Sequence, residues 1–125
     1  MKEEEIKEIN LQLFTLFLFL FSGVISILIT YNQKLDLENK ETIFNSKESY
    51  KVTLFNRILI VTLSLIFLYI NYKLYKISKE EGENLKPYLL QILAGILTVI
   101  ADFIALYVVN LSTTESIVDV ENPII

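Results

Sequence analysis

The chain has 125 residues, 53% of them hydrophobic, with a mean hydropathy of +0.48 and a formal net charge of −4. It contains no Cys and no His, which excludes thiol nucleophiles, disulfides and the usual ligands of zinc, haem and iron–sulfur centres. An isoelectric point near 4.8 argues against nucleic acid, which needs a basic face.

The apolar residues gather in three blocks, at about 11–31, 52–72 and 88–111. A helix needs about 20 residues to cross the hydrocarbon core, and each block reaches that length. The expected fold is all-α: a small polytopic membrane protein of three transmembrane helices in an up-down-up bundle. Spans are expected at about 10–31, 52–75 and 86–111, in a single membrane domain over 1–125.

The opening residues place Glu3, Glu4, Glu5 and Glu8 just ahead of the first block. A secretory signal starts basic, has a shorter apolar core and ends in a small-residue cleavage site. This start is acidic and its core is long, so the first block is read as a retained span. The glutamates suit the positive end of a helix beginning near Glu4, outside the membrane.

The stretch 32–51 balances Lys34, Lys40, Lys47 and Lys51 against Asp36, Glu38, Glu41 and Glu48. A solvated loop is expected there, and a short interfacial helix is the sharper alternative. After the second block come Lys73, Lys76 and Lys79, then Gly82, which together read as the end of a helix. Asn84 and Pro87 open the third helix, leaving a hairpin turn at 80–85.

The tail 112–125 is acidic and has no Lys or Arg, and Ser112 and Glu115 stand at capping-box spacing. Residues 110–112 fit a glycosylation triplet, which is read as chance this close to the membrane. Frequent Ile, Lys and Asn point to a bacterial source and a cytoplasmic membrane. The lysines of the short hairpin, set against the lysine-free tail, place the amino end inside and the carboxyl end outside.

Residues at i, i+4, i+7 and i+11 share one helical face. On the third helix Gln91, Gly95, Thr98 and Asp102 fall on such a face, flanked by Ala94, Ala101 and Ala105. On the second, Arg57, Ser64 and Asn71 recur at steps of seven. On the first, Thr15, Ser22 and Ser26 form a similar stripe. Small and polar stripes of this kind let helices approach and pair in lipid.

Asp102 is the least ordinary residue, since a carboxylate deep in a span is costly and marks a functional candidate. Arg57 enters from the side where Asp102 leaves, so the two are expected to form an intramembrane ion pair. An antiparallel hairpin turning near residues 80–82 also sets Ser64 opposite Gly95. Tyr31, Tyr50 and Tyr107 mark one interface, and Tyr72, Tyr75 and Tyr88 the other.

No nucleophile elbow, phosphate loop or metal motif is present, so neither enzymatic activity nor a cofactor is expected. The expected partners are the lipid bilayer together with a second copy or another membrane protein. Two functions follow: an accessory or assembly subunit acting through helix–helix contacts, or a homo-oligomeric, ion-conducting pore using Asp102 and Arg57. In size and span number the chain resembles phage holins, although several of those end in a basic tail.

Overall fold

The computed structural model describes residues 2–111. The acidic tail and its Ser112–Glu115 spacing lie outside the described residues. Three helices follow in order: α1 (Lys2–Leu37), α2 (Ser46–Glu80) and α3 (Lys86–Leu111). Each is long and apolar enough to cross a membrane. At about 1.5 Å per residue, α1 and α2 overshoot the roughly 30 Å hydrocarbon layer and carry their charged ends beyond it.

The overshoot shortens the expected 32–51 loop to about eight residues, and local signals explain both ends. Asn45 caps α2 by accepting from the Glu48 backbone N–H at 2.8 Å, while the Glu48 carboxylate accepts from Asn45 N–H at 3.1 Å. That reciprocal box starts the helix a turn and a half before the apolar block. At the other end, Asn39 adopts a left-handed φ of 57°. The Lys40 N–H then reaches back to Leu35 O and the Asn39 N–H to Asp36 O, a Schellman stop with Asn in the glycine position. Asn32 ties the loop down, accepting from Phe44 N–H at 2.8 Å and donating to Phe44 O at 3.3 Å.

The second turn uses the same device. Gly82 has φ +72°, Glu83 N–H donates to Ser78 O and Gly82 N–H to Lys79 O. The expected glycine stop is therefore present, and α3 opens at Lys86 with its amide on Asn84 Oδ1.

The helices run up, down and up, with α2 in the middle. Both α1 and α3 pack along α2, but they make no comparably close approach to each other. Two seams side by side on α2 accomplish this. Asn56, Ile60, Leu63 and Ile70 recur at heptad steps and are buried, as are Arg57, Val61 and Ser64 one position on. Adjacent residues lie about 100° apart around a helix, so the first seam meets α1 and the second meets α3. Phe19 on Phe67, with ring centroids 5.2 Å apart, belongs to the first. On the second, a Cβ built at Gly95 would lie 3.1 Å from Leu68 Cδ1. Phe14, Phe17 and Phe21 face outward, as lipid-facing bulk should.

The hairpin register differs from the expected one. Ser64 meets Asp102, and Gly95 meets Leu68 rather than Ser64. The two contacts centre the hairpin at about residues 81–83, at or just past the 80–82 position assumed from sequence, because the Schellman stop and the Asn84 entry both occupy residues. That slides each α3 position one to two turns relative to α2.

Candidate functional site

Two buried polar clusters sit on the two seams of α2, and they differ in how their protons are used. On the α1 side, Asn56 is fully buried. Ser22 Oγ donates to Asn56 Oδ1 at 2.6 Å, and Asn56 Nδ2 donates to Ser26 Oγ at 2.9 Å. Ser26 in turn donates to Ser22 O at 3.1 Å, and Thr15 donates to Leu11 O. Each hydroxyl proton has its acceptor, as buried polar groups require. This cluster is a lock between helices.

Sequence reasoning placed Ser22 and Ser26 on the inner face but missed Asn56, their partner. The available signal was a primary amide five residues into an apolar block, next to the more conspicuous Arg57.

The α3-side cluster contains Arg57, Ser64 and Asp102, which are 4%, 3% and 1% exposed. Ser64 Oγ contacts Asp102 Oδ2 and also lies 2.9 Å from Ile60 O. A hydroxyl has one proton to give. With Asp102 ionised, Ser64 donates to the carboxylate; with Asp102 protonated, the acid can donate to Ser64, and Ser64 to Ile60 O. The pair thus has two hydrogen-bonding states that differ by one proton. Asp102 Oδ1 is buried with no hydrogen-bond partner. Arg57 is buried on the same seam, and the carboxylate's hydrogen bond comes from Ser64.

The rest of the expected stripe is distributed unevenly. Gly95 is half-buried against Leu68, and Asn71 is half-buried on α2. Thr98 is half-buried and returns its hydroxyl to Ala94 O at 2.8 Å within its own helix. Gln91 is exposed, which corrects its assignment to an inward face. Around the helix Gln91 lies between Thr98 and Asp102, so its exposure comes from its place along α3: the buried residues, Asp102 and Val109, both lie in the second half of the helix.

A third concentration of charge lies outside the membrane, where the start of α1 meets the α2–α3 turn. Glu81 is fully exposed, and its carboxyl is raised from 4.5 to about 7, first by side-chain hydrogen bonding to Glu83, then to Glu5. Such sharing requires a proton. The contact it contributes is present below about pH 4.5 and is lost as pH rises through about 7. Crosslinking between cysteines placed at Lys2 and Asn84 is therefore expected to slow across that window, after correction for thiol reactivity. Glu81→Gln should flatten the profile, and an unchanged profile would show that the cluster does not share a proton.

Among the described residues no group of His, Cys, Asp and Glu is arranged to hold a metal ion. Comparison with known proteins finds no matching family model, no similar curated protein and no similar solved structure.

Proposed function

We propose that this chain is a non-enzymatic integral membrane protein that serves as an accessory or assembly subunit, working through helix–helix contacts in the bilayer. The observation that carries this reading is the condition of α3. It buries only Asp102 and Val109, packs on one neighbour, and turns the Gln91 amide and Ala94 outward. An amide and a small residue on an open face suit a close-packed helix better than acyl chains. The lysine-rich hairpin supports an inside amino end.

Photo-crosslinking residues at Gln91 and Ala94, compared with Phe17 on the outer face of α1, test the reading. Protein adducts at the two α3 positions but not at Phe17 are expected in native membranes. Adducts to lipid alone at all three positions would overturn it.

One observation favours a second reading, the ion-conducting homo-oligomer: the buried Asp102 Oδ1 without a partner, beside a proton-dependent Ser64. Intramembrane carboxylates serve proton relays in pumps and transporters. Purified protein in liposomes separates the two. Silence to proton and cation gradients accords with the subunit; flux abolished by Asp102→Asn makes α3 the wall of an assembled pathway.

A further inference from the structure

Glu8 is a buried carboxylate that neither seam explains. It is 7% exposed, and its Oε2 has no hydrogen-bond partner. It lines a pocket of about 240 Å³ where the start of α1 passes the end of α2. The pocket is polar and its charges balance: Glu4, Glu8 and Glu80 face Lys7, Lys73 and Lys76. A lining with three charges of each sign favours neither an anion nor a cation. It suits a ligand carrying both.

Two of the lysines lean on tyrosine rings. Lys73 Nζ lies 5.8 Å from the Tyr69 ring centroid, and Lys76 Nζ lies 5.7 Å from that of Tyr72. Cation–π contacts of this kind keep the ammonium groups at the level of the interfacial tyrosines, where phospholipid phosphates lie. Tyr69 also lines a second, wholly apolar groove of about 410 Å³ between α2 and α3. Tyr72, Leu65, Leu68, Ile92 and Ile96 complete its walls. Tyr69 is therefore common to the charge-balanced pocket and the apolar groove.

We propose that this composite site binds one aminophospholipid, with a phosphoethanolamine head group in the polar pocket and an acyl chain in the apolar groove. The ammonium donates to Glu8, and the phosphate accepts from Lys73 and Lys76. The donor requirement selects the head group. Ethanolamine ammonium carries three N–H groups to offer Oε2, choline carries none, and phosphoglycerol brings no cation to a carboxylate that needs one. The site stands independently of the function proposed above.

Native mass spectrometry of the full chain, titrated with phosphatidylethanolamine, phosphatidylcholine and phosphatidylglycerol of identical acyl chains, tests it. The unaltered protein should prefer phosphatidylethanolamine by about tenfold or more, the worth of a charged hydrogen bond. Glu8→Gln should bring the ethanolamine-to-choline ratio near one, while Lys73→Gln with Lys76→Gln should weaken both lipids alike. Excess soluble phosphoethanolamine should not displace the lipid. Equal retention of the ethanolamine and choline lipids by the unaltered protein overturns the proposal without recourse to any variant. A ratio that survives Glu8→Gln, strongest binding of phosphatidylglycerol, or displacement by the soluble head group also overturns it.

Discussion

Arg57→Leu and Asp102→Leu are each expected to destabilise the purified protein in detergent by about 3–5 kcal/mol, and the double change to recover most of that loss. Both side chains are almost wholly removed from solvent. Removing one leaves the other charge in a low-dielectric seam with only part of its compensation. Removing both leaves an apolar seam, and replacing a buried charge pair by apolar groups is often nearly neutral. Ser64 adds a test that sequence alone did not suggest. Ser64→Ala should cost less than either charge deletion, about 1–2 kcal/mol, and should be silent once Asp102 is leucine. A double-mutant cycle on thermal unfolding measures these couplings. Additive losses from Arg57 and Asp102 would show that the two charges are not one electrostatic unit.

The sequence made the large features readable because they rest on single, strong signals. Three apolar blocks of span length admit little besides three membrane helices, and the lysine–glycine end of α2 is a stop that the backbone follows, through Gly82 at φ +72°. Less was readable where two signals competed. The Asn45–Glu48 box lay inside a stretch that looked like solvated loop, because its apolar content is low and capping depends on geometry rather than hydropathy. The buried stripe on α2 was sought as one face, whereas a helix with neighbours on two sides needs two seams. Arg57 and Ser64 therefore stood out while Asn56, about 100° away, did not. Register was the most fragile inference. Each residue in a turn moves the facing helix, so the Schellman stop and the Asn84 entry sufficed to replace a Ser64–Gly95 contact by Ser64–Asp102 and Leu68–Gly95.

Because α1 and α3 meet α2 on separate seams, damage to one seam is expected to leave the other standing. Asn56→Leu provides the test. It removes the acceptor of Ser22 and the donor to Ser26 and sets a larger apolar group against two hydroxyls. Hydrogen bonds between membrane helices are worth about 0.6 kcal/mol on average, rising to about 1.7. Two lost bonds and the stranded Ser22 proton then cost about 1–3 kcal/mol, all of it on the α1 side. The chain has no native cysteine, so paired cysteines can report on each seam separately. Phe19→Cys with Phe67→Cys reads the α1–α2 seam, and Leu68→Cys with Gly95→Cys reads the α2–α3 seam. With Asn56→Leu added, a short thiol crosslinker should join the first pair several-fold more slowly and the second at its original rate. Local opening of this kind is expected where one element contacts a single neighbour. Equal slowing of both pairs would mean that the three helices open as one cooperative unit. Unchanged rates at both would mean that the Asn56 cluster contributes nothing to holding α1, and that Ile25, Ile29 and the Phe19–Phe67 contact hold that seam.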